Sequence, residues 1–150
     1  MRTQASMAVN TQGKIITLWS VFLLGLLFHT QLGLMPLFHG QSVVEPGANP
    51  GADISWILWL MLIFFVLPMM AMVVTVFNAS SRYRSIHLGL TVLYTVMNFL
   101  HIAADLNLKP IAWYQIALMV ILFVIGILLN IVSFQWMREG KTSQERLISS

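Results

Sequence analysis

Long apolar runs separated by short polar segments dominate the pattern of hydrophobic and polar positions along the chain. Four runs each reach the roughly 20 residues that a helix needs to cross the hydrocarbon core of a bilayer. They extend over Ile15–Phe38, Ile54–Phe77, Ser85–Leu106 and Ile111–Met137. The pattern predicts an all-α integral membrane protein, a bundle of four transmembrane helices that forms a single membrane domain. The polar segment 138–150 is expected to be a cytoplasmic tail of this domain.

The composition agrees with a protein that is surrounded mostly by lipid. Hydrophobic residues make up 58% of the 150 residues and charged residues only 9%, whereas soluble domains contain about 25% charged residues. The chain has no cysteine, which excludes disulfides, thiolate metal ligands and thiol catalysis. Membrane lipids are therefore expected as surroundings, and nucleic acid is not expected as a partner.

The positions of the basic residues predict how the chain crosses the membrane. Seven of the eight lie before the first run, between the second and third, or after the fourth: Arg2, Lys14, Arg82, Arg84, Arg138, Lys141 and Arg146. Because basic segments stay in the cytoplasm, both termini are expected there, in a bacterial inner membrane. Lys109 is the exception and falls in an outward-facing turn. Aromatic residues near the ends of the runs are expected at the headgroups: Trp56, Trp59, Trp113, Tyr114 and Trp136.

The third run carries a stripe of polar residues on one helix face. Its members follow one another at spacings of four, three, four, three and four residues: His87, Thr91, Tyr94, Asn98, His101 and Asp105. At about 100° per residue, all of them lie within about 40° of the first. An ionisable group that faces hydrocarbon costs at least about 2.5 kcal/mol. The stripe is therefore expected to face the bundle interior, where it can serve as hydrogen-bonding contacts, as a proton path or as a set of ligands.

Two histidines of the stripe have the separation that two stacked cofactors would need. His87 and His101 are fourteen residues apart, about 21 Å along a helix, which resembles the placement of paired haem ligands on cytochrome b-type helices. His29 in the first run lies at the depth of His101 within about 3 Å, when residues are counted from the basic flanks Lys14 and Arg84. We therefore predict a haem b whose iron is held by His29 and His101.

Other residues would complete this haem site. Gly25 and Gly33 lie one helical turn to either side of His29, and they leave room either for a flat macrocycle or for close packing of helices. Tyr94 and Asn98 are expected to line the pocket. The predicted function is a membrane-embedded b-type haem electron-transfer subunit, linked to a quinone or to other membrane subunits. Such a subunit of an oxidoreductase complex is favoured over a stand-alone enzyme.

Two other functions use the same residues differently. The first is outward-facing binding or transport of copper or zinc, because imidazole and carboxylate groups suit both metals and because His29, His39, His101 and Asp105 fall in the outer half. The second is a non-catalytic accessory subunit of a respiratory or photosynthetic complex, or a homo-oligomer, in which the stripe serves packing alone. His87 comes three residues after Arg84 of the basic segment 82–84. It is expected either to lie at the cytoplasmic interface or to help bind a quinone or a lipid headgroup.

Overall fold

Four α-helices in antiparallel order make up the computed structural model, which describes residues 10–44, 47–49, 51–108 and 110–148, with side chains up to residue 140. The helices are α1 (Thr11–Phe38), α2 (Ser55–Phe77), α3 (Ser81–Asp105) and α4 (Trp113–Ile148). All four are long and apolar enough to cross a membrane, which indicates an integral membrane protein and confirms the all-helical prediction. α4 extends beyond its predicted end at Met137, so the polar segment continues the helix as far as Ile148.

Polar side chains accept hydrogen bonds from backbone N–H groups at the beginnings of α1 and α2: Asn10 is the N-cap of α1, and Asp53 precedes Ile54, the N-cap of α2. Asn10 Oδ1 accepts a hydrogen bond of 2.7 Å from the backbone N–H of Gly13. Asp53 Oδ1 accepts one of 2.8 Å from the backbone N–H of Ser55. Hydrogen bonds from the Ser55 hydroxyl and backbone N–H lower the pKa of Asp53. Asn10 and Asp53 thus satisfy backbone N–H groups that have no partner within their helix.

α4 is the central packing element, because it packs extensively against both α1 and α3, whereas α2 contacts α1 over a smaller area. The core consists of large side chains from α1, α3 and α4: Ile15, Trp19, Phe22, Tyr94, Met119, Leu122, Leu129 and Trp136. In α2 only Pro68, Ala71 and Thr75 are buried. The outer surface of α2 is therefore left for lipid or for another chain.

Two glycines allow α4 to approach its neighbours closely. A Cβ atom on Gly25 of α1 would clash with Leu122 Cδ2, and one on Gly126 of α4 would lie 2.8 Å from Thr95 Oγ1. Next to this second contact, Asn130 Nδ2 donates to Thr95 Oγ1 at 3.0 Å. Small residues and interhelical hydrogen bonds of this kind drive helix association where water is absent.

Most of the polar stripe of α3 faces the bundle interior, as predicted. The buried residues of α3 are His87, Thr91, Tyr94, Thr95 and Asn98. α1 and α3 lie on either side of α4 and meet mainly through their side chains. The outer end of the stripe is more open, since the His101 side chain is 51% exposed.

The aromatic residues divide into two groups. Trp56, Trp59, Trp113 and Tyr114 are more than half exposed near helix ends, where they were predicted. Trp136 is only 2% exposed, so its ring is covered by protein, and its place at the level of the headgroups stays a prediction. Its ring packs between Tyr83 and His87, and this contact removes it from the surface.

One end of the bundle carries the described basic residues. Thr11 Oγ1 donates to Glu139 Oε1 at 2.9 Å, and Arg84 donates to the backbone oxygen of Trp136 at 2.7 Å. These contacts bring together the starts of α1 and α3 and the polar part of α4. Lys14, Arg82, Arg84 and Arg138 therefore share this end, which we call the basic end. Arg2 and Lys109 lie outside the described residues, and so do the side chains of Lys141 and Arg146.

Candidate metal centre

Three side chains from α1 and α3 converge in the half of the bundle away from the basic end. His29 Nε2 lies 3.6 Å from Asp105 Oδ2, and His101 Nε2 lies 3.5 Å from the same oxygen. The imidazole centroids are 5.3 Å apart, with planes inclined by 76°. His29 and His101 therefore lie at one depth, as the residue counts predicted, whereas a haem between them stays a prediction.

Helix geometry explains how this cluster forms. His101 and Asp105 are four residues apart on α3, so they lie on the same face one turn from each other. His29 extends from α1 toward that face. The side chains of His29 and Asp105 are each 15% exposed, in contrast to 51% for His101. Two of the three groups are thus held inside the bundle, and the third lies at its edge.

The cluster contains buried polar atoms without hydrogen-bond partners. His29 Nε2 and Asp105 Oδ2 are both buried; they lie 3.6 Å apart, and neither has a hydrogen-bond partner. Burying a polar atom without a hydrogen bond costs free energy, and burying a carboxylate without a positively charged partner costs more. The two imidazoles near Asp105 are positive only when protonated. A bound cation would remove the penalty for both atoms.

The separations of the ligand atoms suit a small metal ion. Among the described residues, one group of possible ligands has its ligand atoms within 4.8 Å of one another, and it consists of His29, His101 and Asp105. Two ligands of a tetrahedral Zn²⁺ at about 2.0 to 2.1 Å lie about 3.3 Å apart. The separations of 3.5 and 3.6 Å from Asp105 Oδ2 to the two imidazoles are close to this value, and the third separation is at most 4.8 Å. His39 is not in this group; it is exposed at the carboxyl end of α1.

Comparisons with known proteins gave no match. No protein-family model, no curated protein and no solved structure matches this chain. The chemistry of the cluster is therefore argued from its own geometry. Two imidazoles and one carboxylate form a ligand set typical of zinc, copper and iron sites.

A cavity of about 300 Å³ lies beside the cluster, between α1, α2 and α3. His29, His101 and Asn98 line it, together with mostly apolar side chains such as Met61 and Phe64. Asn98 thus lines this cavity and Tyr94 does not, and their roles beside a haem stay predictions. The cavity exists because α2 stands away from α3.

Tyr94 instead stabilises α2. Its hydroxyl donates to the backbone oxygen of Phe64 at 2.5 Å. Phe64 is four residues before Pro68, and proline has no N–H with which to bond that oxygen inside the helix. The Tyr94 ring packs against those of Trp19, Phe22 and Phe64. Tyr94 therefore supplies the donor that α2 lacks.

His87 lies in a buried aromatic environment, and its place at the cytoplasmic interface, near a quinone or a lipid headgroup, stays a prediction. The residue is 1% exposed. Its Nε2 accepts a hydrogen bond of 3.0 Å from Trp19 Nε1, and the rings of Tyr83 and Trp136 lie 6.0 and 5.7 Å away. His87 Nδ1 is buried without a partner. The side chain is thus part of the core, stabilised by an indole N–H.

The contact between Trp19 and His87 was not among the predictions, although the sequence contains a pattern that indicates it. Trp19 is five residues from Lys14, and His87 is three residues from Arg84. Counting residues from these two basic flanks, as for His29 and His101, therefore predicts that the depths of the two rings differ by only about 3 Å. A buried indole N–H needs an acceptor, and His87 is the one that α3 provides.

The glycines predicted to flank a macrocycle lie against α4. Leu122 occupies the space beside Gly25, and Gln115 Nε2 lies 3.3 Å from a Cβ built on Gly33. Close helix packing therefore explains Gly25, while a role for either glycine beside a haem stays a prediction. Thr91 is buried and donates to the backbone oxygen of Leu88 at 2.8 Å. Its place in a proton path also stays a prediction.

Proposed function

We propose that this protein is an integral membrane protein that binds one transition-metal ion, zinc or copper, at His29, His101 and Asp105. The supporting observation is the convergence of three ligand atoms, two of which are buried and have no hydrogen-bond partner. Three protein ligands leave one tetrahedral position open, as in zinc sites that accept water or substrate. The half-exposed His101 puts this position at the edge of the cavity.

Metal titration of protein purified without a histidine tag tests this function. After chelator treatment, the wild type is expected to bind one Zn²⁺ or Co²⁺ per chain. Asp105→Asn keeps the shape but removes the charge, and it should weaken binding by more than the roughly 10- to 100-fold typical of lost outer-shell partners. His39→Gln is the matched control, since His39 is exposed and outside the cluster. Unchanged affinity in Asp105→Asn, or lost binding in His39→Gln alone, would contradict the proposal.

The direction of the chain in the membrane is part of the proposal. The described basic residues share one end of the bundle, and the positive-inside rule puts that end in the cytoplasm. The metal centre then lies in the outer half of a bacterial inner membrane. A reporter active only in the cytoplasm should work when fused after residue 150 and should fail when inserted near Gly47. The reverse pattern would show the opposite orientation.

A haem b held by His29 and His101 is the second candidate, because the two imidazoles face each other at one depth. A macrocycle between them would have to displace the Asp105 carboxylate, which lies within 3.6 Å of both nitrogens. For this reason the geometry favours a bare ion. A reduced-minus-oxidised spectrum decides between them: a b-type α-band that disappears in His101→Leu supports haem-based electron transfer with a quinone. An accessory role in a larger complex stays a prediction, which co-purification with that complex would test.

A further inference from the structure

The cavity beside the metal centre suggests a second ligand of a different kind. It has a volume of about 300 Å³, which is at the lower end for small-molecule sites. It begins at His29 and His101 and continues along α2, where Met61, Phe64 and Phe65 line it. Polar groups are thus gathered at one end of a largely apolar space. Such a space fits a molecule with an apolar body and a single polar head.

Asn98 indicates which polar head the cavity suits. The residue lines the cavity and is only 4% exposed. Its Nδ2 donates to the backbone oxygen of Met119 at 3.4 Å, which leaves the buried Oδ1 as an acceptor without a partner. Asn98 and His101 are three residues apart on α3, so their side chains are neighbours on one face. A head group that donates a hydrogen bond would therefore satisfy Asn98 beside the metal centre.

The cavity is reached from the side of the bundle. Met61 is 44% exposed and the His101 side chain 51% exposed, so the lining residues extend to the outer surface. The adjacent helix α2 packs on its neighbours less than the others do. In a protein of this class that surface faces lipid. A ligand would thus arrive from the bilayer and must itself be lipophilic.

We propose that the cavity binds a lipophilic alcohol or phenol, a class that includes quinols. The hydroxyl group donates its proton in a hydrogen bond to Asn98 Oδ1. A lone pair on the hydroxyl oxygen faces the open position of the ion held by His29, His101 and Asp105. The contact with the ion rests on the function proposed above, whereas the contact with Asn98 does not.

A pair of probes that differ only in the hydroxyl group tests this proposal without any mutation. Ring-fluorinated para-octylphenol donates a hydrogen bond, and its methyl ether has nearly the same shape but cannot. Fluorine NMR of the protein in lipid nanodiscs separates bound probe from probe dissolved in lipid. The phenol is expected to bind saturably and about tenfold more tightly than the ether, which corresponds to one hydrogen bond to a buried acceptor. No saturable binding of the phenol, or equal binding of the two probes, would overturn the proposal.

Three variants place the binding in the cavity. Asn98→Leu removes the acceptor and should abolish the preference for the phenol. Met61→Trp adds bulk at a lining position and should weaken binding of both probes. Met70→Trp is the matched control on the same helix, because nine residues of helix put it on the opposite face from Met61. A preference that survives in Asn98→Leu, or binding that is insensitive to Met61→Trp, would refute the assignment.

The same titrations with and without Co²⁺ keep the two proposals separate. If the phenol reaches the open position, it should change the visible ligand-field bands of bound cobalt, and the ether should not. Phenol binding in a protein that binds no cobalt would refute the metal function and uphold the contact with Asn98. Cobalt binding without any phenol binding would refute the lipophile and leave the metal function intact.

Discussion

The buried hydrogen bond between Trp19 and His87 offers a quantitative test of the packing that joins α1 to α3. Trp19→Phe removes the indole N–H, which lies 3.0 Å from His87 Nε2, and leaves both nitrogens of the imidazole unpaired. Hydrogen bonds between helices in a membrane average about 0.6 kcal/mol and reach about 1.7 kcal/mol. We expect the hydrogen bond between Trp19 and His87 to contribute about 1 to 1.7 kcal/mol, the upper part of this range, because both residues are almost completely buried, with 0% and 1% exposure.

Loss of packing adds to this effect. The Trp19 ring contacts those of Phe22 and Tyr94 edge-on, and the smaller phenyl ring removes buried carbon worth about 1 kcal/mol. Trp19→Phe should therefore lower the free energy of unfolding by about 2 to 3 kcal/mol. His87→Leu should also destabilise the protein, because it leaves the indole N–H buried without an acceptor.

A double-mutant cycle isolates the hydrogen bond. The free energy of unfolding is measured by reversible denaturation in mixed micelles, followed by circular dichroism so that the loss of a tryptophan does not affect the signal. The double variant Trp19→Phe, His87→Leu should be more stable than the sum of the two single effects predicts, by about 1 to 1.7 kcal/mol. Additivity within about 0.3 to 0.5 kcal/mol would refute the reasoning. Trp56→Phe, at a residue 66% exposed, should change stability by less than about 0.5 kcal/mol.

Three further predictions use the same unfolding assay. Gly25→Ala should destabilise the bundle by about 1 to 3 kcal/mol through overpacking against Leu122. In a Leu122→Ala background the same change should cost less, because the smaller side chain relieves the strain. An equal cost of Gly25→Ala in both backgrounds would contradict the close contact. Tyr94→Phe should lower the unfolding free energy by about 1 kcal/mol, because the Phe64 oxygen loses its donor, and no change would argue against this hydrogen bond. Zn²⁺ at about 100 times its dissociation constant should stabilise the wild type by about 2.7 kcal/mol; the same stabilisation in Asp105→Asn would count against the metal centre.

Much of the candidate site could be predicted by counting residues. A helix rises by about 1.5 Å per residue, so the counts from Lys14 and Arg84 put His29 and His101 at one depth, and the structure brings their rings to 5.3 Å. The rotation of about 100° per residue likewise predicted a polar face on α3, and His87, Thr91, Tyr94 and Asn98 of that face are buried. Asp105 and His39 both belong to the predicted metal set and both lie near the outer end. Residue counts did not show which of the two reaches the imidazoles. Asp105 reaches both imidazoles, whereas His39 lies outside the group.

The sequence by itself determined the four helices, because a chain in lipid must satisfy its backbone hydrogen bonds within each span, and long apolar runs reveal where those spans lie. It also determined the interior face of α3, since only that helix carries a continuous polar stripe. Only the tertiary structure decided that α4 packs between α1 and α3, that Trp136 is buried beside His87, and that α2 leaves a cavity next to His29 and His101. The physical reason is that the other helices are apolar on nearly every face. Their neighbours and rotations are therefore set by shape, such as the gap at Gly25 that Leu122 fills, and shape appears only when the helices are packed together.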